Sequence, residues 1–202
     1  MRNGNERWLG PDEVLAELAR PDGVVILPTD TVPGLHARID RPRALERLGA
    51  LKGRRPDQPF LVLCSDLGEV GELAGELAPR LRDYLDHLWP GPFTVIVAAR
   101  DGLAAAVRAP AGTVAVRVPA WEPLRELLRR CGPLASTSAN AGGDPPAVTV
   151  QAALAAFPEL AAWQTAEASG AGAPSALVDL AGDGPRLLRP GPRPLPPWAE
   201  SV

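Results

Sequence analysis

The sequence predicts an α/β domain, and three observations carry that expectation. Short runs of branched and aromatic residues, at 24–27, 60–64, 93–98 and 113–118, have the length and composition of buried strands. Between them lie longer segments whose apolar residues recur three and four apart, the spacing of helices packed on one face. Hydroxyls, a carboxylate and arginines collect where the apolar runs stop, which fits a ligand cleft at one edge of a sheet.

Residues 11–20 read as the first helix. Pro11 suits its first turn, Asp12 and Glu13 complement its positive end, and Val14, Leu15 and Leu18 form the apolar stripe. The strand at 24–27 ends in Pro28-Thr29-Asp30-Thr31, which takes two hydroxyls and a carboxylate into a loop, and Pro33-Gly34 reads as a turn. Residues 43–52 form a helix through Ala44, Leu45, Leu48 and Leu51, with Gly53 just past its end. Lys52, Arg54 and Arg55 crowd that end, and Pro56-Asp57-Gln58-Pro59 keeps the following stretch irregular. Such a cluster suits a phosphate-gripping loop, and equally a solvated helix terminus.

The third strand, 60–64, is followed by a helix at 77–89 that Pro90-Gly91-Pro92 stops. In the strand at 113–118, if Val114 and Val116 face the core, Arg117 shares the opposite face with Ala115. A helix at 121–130 leads to Pro133-Leu134-Ala135, read as a strand that stops and presents Ser136, Thr137, Ser138 and Asn140 to a cleft. Gly142 and Gly143 then let the backbone turn or approach a ligand. These small donors suit an oxygen-rich ligand such as a phosphate or ribose; the same residue types also make N-caps and turns. A helix at 148–157 and strands at 174–180 and 187–191 complete the pattern, before a proline-rich tail at 190–202 that packs along the domain.

Composition bounds the function. The 202 residues fit one domain spanning 1–202, and an apolar fraction of 46% supports an ordinary core. A formal net charge of -3 argues against a surface that grips nucleic acid all over, though not against a local basic groove. No apolar run reaches membrane-spanning length, and the N-terminus lacks a signal-peptide core, so no membrane partner and a cytoplasmic location are expected. Cys64 and Cys131 sit in apolar contexts as reduced core residues, and His36 and His87 have no second ligand at metal spacing, so no protein-held metal is expected. Of 21 lysines and arginines only Lys52 is a lysine, which is either a chance survival or the mark of a place where a compact ammonium is needed rather than a guanidinium fork. No Walker loop, dinucleotide fingerprint or nucleophile elbow is present.

Five segments then fall into a recognisable order: L-P-T-D-T-V-P-G-L, L-K-G-R-R-P, L-W-P-G-P-F-T, V-A-V-R-V-P and S-T-S-A-N. Together they resemble the YrdC-like family of threonylcarbamoyl-AMP synthases, over about residues 23–191 and in a short, single-domain form. The resemblance implies a twisted open mixed sheet with flanking helices around a large concave cleft. It implies a nucleotidyltransferase that makes threonylcarbamoyl-AMP and pyrophosphate from L-threonine, bicarbonate and ATP, for a downstream complex that modifies tRNA. By matching position, Lys52 and Arg54 are the catalytic candidates, and with Ser138, Asn140 and Arg189 they hold the nucleotide. Thr31, Arg117 and Ser175 match the threonine pocket, with the Arg117 fork suited to a carboxylate. Mg²⁺ would arrive on the triphosphate, with Asp30 a candidate to orient the ion or the amine. The alternative is a non-catalytic protein of the same fold that binds double-stranded RNA, the cleft arginines serving RNA phosphates, and direct contact with tRNA fits either reading. The chain departs from the family pattern at Pro33, where an aromatic residue is common, at Leu63, where histidine is common, and at Ala176, where threonine is common.

Overall fold

The alternation of side chains along the central strands decides this architecture, because it gives the sheet two faces of different chemistry. The structure is a computed structural model that describes residues 7–55, 58–75, 77–140, 144–165, 170–182 and 184–196. Chain order begins β1 (Arg7–Leu9), α1 (Pro11–Ala19), β2 (Val25–Leu27), β3 (Gly34–Arg38) and α2 (Pro42–Lys52). It continues β4 (Leu61–Leu63), α3 (Leu67–Ala74), α4 (Pro79–Leu88), β5 (Phe93–Ala98), β6 (Thr113–Arg117) and α5 (Glu122–Cys131). The last elements are β7 (Leu134–Ser138), α6 (Val150–Ala156), β8 (Ala161–Trp163), β9 (Ala176–Asp179) and β10 (Arg186–Arg189). All ten described strands form one mixed sheet in the order β1-β8-β2-β3-β7-β4-β6-β5-β9-β10.

One face is apolar across the central strands. Ile26, Leu35, Val62, Val95, Val97, Val114, Val116 and Ala135 pack there against Leu45 and Leu48 of α2, Val70 of α3, Leu85 and Leu88 of α4, and Leu154 of α6. The other face is covered over only part of its width. Val14 and Leu18 of α1, with Leu124, Leu127 and Leu128 of α5, bury Val25, Leu27, Leu63, Leu134, Ala161 and Trp163. Towards β6, β5 and β9 that second face carries Thr94, Ala115, Arg117 and Leu177, which line an open hollow instead. The α/β class and the mixed sheet are as expected. The cleft at the sheet's edge is not: the polar residues lie on the uncovered face of its central strands.

Several elements differ from the sequence reading. Gly34 does not close a turn; it begins β3, pairing with Leu27 on one side and Ser138 on the other. The hydroxyls Ser136 and Ser138 do not follow a strand but belong to β7. The strands β1 and β8 have three residues each, too few for alternation to show. In α3, Gly68 and Gly71 weaken the helical signal, and its start is marked instead by Asp66, whose carboxylate accepts the Glu69 N–H at 3.0 Å. The tail packs back as far as it is described, with Arg193 over the Phe93 ring and Leu195 against the main core. Pro56, Asp57, Gly142, Gly143 and residues 197–202 lie outside the described residues.

Leu128 is fully buried between α5 and the sheet. Leu128→Ala is expected to lower the unfolding free energy by about 2–5 kcal/mol, read from the urea midpoint, because that corner cannot collapse around the lost volume.

Candidate functional site

Where α1 and α5 leave the sheet uncovered, a cavity of about 310 Å³ opens. Thr31, Arg54, Arg117, Ser138, Ser175 and Arg189 line it together with Thr94, Ser136, Leu61 and Leu63. Six of the eight residues expected from the sequence therefore share one hollow. The other two, Lys52 and Asn140, join it at the rim through Ser138.

The rim is built by the end of α2. Gly53 takes a left-handed conformation, φ 58°, and its N–H bonds to Ala50 while the N–H of Arg54 returns to Gly49 at 3.0 Å. That closure reverses the chain between Lys52 and Arg54. The Lys52 ammonium donates to the Ser138 carbonyl at 3.0 Å, the Asn140 carbonyl at 2.8 Å and the Asn140 side-chain oxygen. Its three protons are thus all directed at the end of β7. Burial, then the neighbouring Arg54 charge, lowers its pKa to about 8. Ser138 donates to the same Asn140 oxygen, and the Asn140 amide is pinned by the Asp144 carbonyl at 2.6 Å. Arg54 stacks over Phe60 at 4.4 Å and bonds to the Pro59 and Gln58 carbonyls, which sets its guanidinium at the cavity wall.

Arg117 is buried on the cavity floor. As the alternation predicts, it shares a face with Ala115 while Val114 and Val116 enter the core. Its guanidinium donates to the Gly91 carbonyl at 3.2 Å, the Thr31 hydroxyl at 2.8 Å and one Asp30 oxygen. The second Asp30 oxygen accepts the Ala120 N–H at 3.0 Å. Both oxygens of Asp30 are therefore engaged within the protein, one of them holding Arg117. Thr31 is braced in turn by Thr29 at 2.9 Å, and Thr29 donates to the Val32 carbonyl. At the far wall the Ser175 hydroxyl meets Thr94 at 2.7 Å, and the Ser175 carbonyl accepts two bonds from Arg189.

Thr94 was not singled out in the sequence. Its signal was there: with Val95 and Val97 in the core, Thr94 must face the other way. Leu63 lines the cavity and Ala176 is buried beside it, whereas Pro33 lines a separate, smaller hollow with Trp8 and Trp163. Among the described residues no group of three or more His, Cys, Asp or Glu gathers to hold a metal ion. No helix of the described residues is long and apolar enough to cross a membrane.

The comparisons agree with this geometry. The sequence model for Sua5, YciO and YrdC, described as telomere recombination, matches residues 17–191. A Bacillus subtilis protein named threonylcarbamoyl-AMP synthase is 34% identical over 179 residues, covering 87% of this chain and 52% of its own. A Chromobacterium violaceum protein of the same name is 32% identical over 171 residues, covering 84% of this chain and 88% of its own. Among solved structures, Pyrococcus abyssi Sua5 complexed with L-threonine superposes with a TM-score of 0.81 at 26% identity, over 92% of this chain and 56% of that one. The chain thus spans about half the length of the Bacillus and Pyrococcus relatives.

Asp30 has a side chain only 12% exposed and balances an almost wholly buried arginine. Asp30→Ala is expected to cost about 3–5 kcal/mol of stability in a denaturant titration, because Arg117 is left charged and unpaired.

Proposed function

Because this chain belongs to the Sua5/YciO/YrdC family, we propose that it is a threonylcarbamoyl-AMP synthase, a nucleotidyltransferase that joins L-threonine, bicarbonate and ATP and releases pyrophosphate. One observation carries the reading furthest. Lys52 clasps Ser138 and Asn140 at the rim of a hollow that also receives Arg54, Arg117 and Arg189. The names of the Bacillus and Chromobacterium relatives and the threonine-bound Pyrococcus structure support it.

Bicarbonate takes up a proton and loses water to give carbon dioxide, which the threonine amine captures with loss of a proton, giving a carbamate. A carbamate oxygen then bonds to the α-phosphorus as the bond to the bridging oxygen breaks and pyrophosphate leaves. No side-chain nucleophile takes part, in keeping with the hydroxyls and cations of this cavity. The protein's share is positioning and charge. Arg117, fixed by Asp30, Thr31 and Gly91, keeps guanidinium protons for the threonine carboxylate. Arg54, Arg189 and the Lys52 clasp receive the phosphates, each phosphate oxygen at Lys52 replacing an oxygen of Ser138 or Asn140. A Mg²⁺ ion comes with the triphosphate as part of the substrate. The adenylate passes to a tRNA-modifying transferase in the cytoplasm.

Pyrophosphate release should require ATP, L-threonine and bicarbonate together. Turnover without threonine, or RNA binding with a steep salt dependence and no turnover, would turn the assignment towards another chemistry. Lys52→Ala should reduce release at least about 100-fold, a loss on the order of 3 kcal/mol for a charged contact and the clasp it supports. Arg117→Ala should raise the KM for threonine far more than that for ATP. The charged form of Lys52 is the one that attracts phosphate, and it prevails below pH 8 in the free protein. The kcat/KM for ATP should therefore fall as pH rises through about 8, a limb that Lys52→Ala removes from its residual rate.

A further inference from the structure

Beneath the cavity lies a polar pair that the reaction scheme leaves unused. His36, on β3, is wholly buried, and its Nε2 lies 3.1 Å from the Ser136 hydroxyl on β7, directly across the strand pairing. An imidazole at that depth is costly, and burial lowers its pKa to about 3, so the ring is neutral throughout the physiological range. A leucine of similar volume would join the adjoining apolar cluster without that penalty. The backbone has also been cleared for the ring. A Cβ at Gly34 would stand 2.9 Å from the His36 Cε1 atom and 2.7 Å from the Thr137 carbonyl. The imidazole therefore leans over a glycine that lines the same cavity.

Ser136 is the other half of the pair, and its residue lines the cavity on the face that Ser138 also occupies two positions along. A hydroxyl has one proton and two lone pairs, and its rotor is free unless a neighbour takes one of them. Whichever ring nitrogen carries the proton, Nε2 takes one of those bonding roles and fixes the rotor. We propose that His36 is a positioning residue that sets the Ser136 hydroxyl as a hydrogen-bonding partner for the nucleotide in the cavity. This rests on the synthase reading for the identity of the ligand. Ser136 touches the nucleotide and His36 acts only through it.

The test is ATP binding by calorimetry to the full chain, with pyrophosphate release measured alongside. Ser136→Ala and His36→Leu should each raise the Kd for ATP about 10-fold, and the double variant should also stand about 10-fold above the unmodified protein, not about 100-fold, because one contact is being removed by two routes. His36→Gln, whose amide can reach the hydroxyl, should recover most of the affinity. Thermal unfolding of each variant separates loss of fold from loss of binding, and Ser136→Ala alone tests the contact if His36→Leu fails to fold. The proposal is overturned if folded Ser136→Ala binds ATP as well as the unmodified protein, or if the two single effects add. ATP binding altered in this way without threonine-dependent pyrophosphate release would sink the synthase reading and leave the pair standing. Absence of ATP binding to the unmodified protein would sink both.

Discussion

The uneven covering of one sheet face is the constraint on which the rest depends. Four helices seal one side of the central strands, while α1 and α5 seal only a corner of the other. Every second residue of β5, β6, β7 and β9 on the unsealed part is free to be polar, and there the chain places Thr94, Arg117, Ser136 and Ser138. Among the neighbouring residues, one step along the same strands, Phe93, Val95, Val116 and Ala135 belong to the main core. Fold and site are thus read from the same strands in alternate registers, and a shift of one residue in any of them would exchange core for cavity.

Electrostatics gives that hollow its character. The chain is acidic overall, at a formal charge of -3, yet the cavity receives three arginines and Lys52 stands at its rim. Only Arg117 among them is matched by a carboxylate of the site, Asp30, which gives it one oxygen while the other accepts the Ala120 N–H. Arg54, Arg189 and Lys52 are held instead by backbone carbonyls, which orient a cation without cancelling its charge. A polyanion entering the cavity meets positive charge whose geometry is already set, which lowers the reorganisation that binding demands. The solvated helix end that the K-G-R-R stretch could have formed is ruled out for Lys52 and Arg54, which turn inward, while Arg55 stays exposed.

The hydroxyls serve a different purpose from the cations. Thr29 braces Thr31, Thr94 braces Ser175, and His36 braces Ser136. Thr31, Ser175 and Ser136 thus each have a partner that fixes the direction of the hydroxyl. Leu63, standing among them, gives that wall an apolar stretch, and the buried imidazole of His36 is spent on Ser136.

Much of this was legible in the chain itself. Long periodic segments such as α2 and α5, and strongly branched strands such as β5 and β6, declared themselves, because their residue patterns are local. Residue type and order also singled out Lys52, Arg54, Ser138 and Asn140, which the fold brings to one hollow and its rim. By itself the sequence determined which groups are available and which strands bury one face. Tertiary structure decided the rest: that β3 starts at Gly34, that β7 carries its hydroxyls inside the ladder, that Asp30 answers Arg117 across 87 positions, and that His36 backs Ser136 across 100. Those pairings depend on which strands lie side by side, and strand neighbours far apart in sequence leave no periodic trace in either segment.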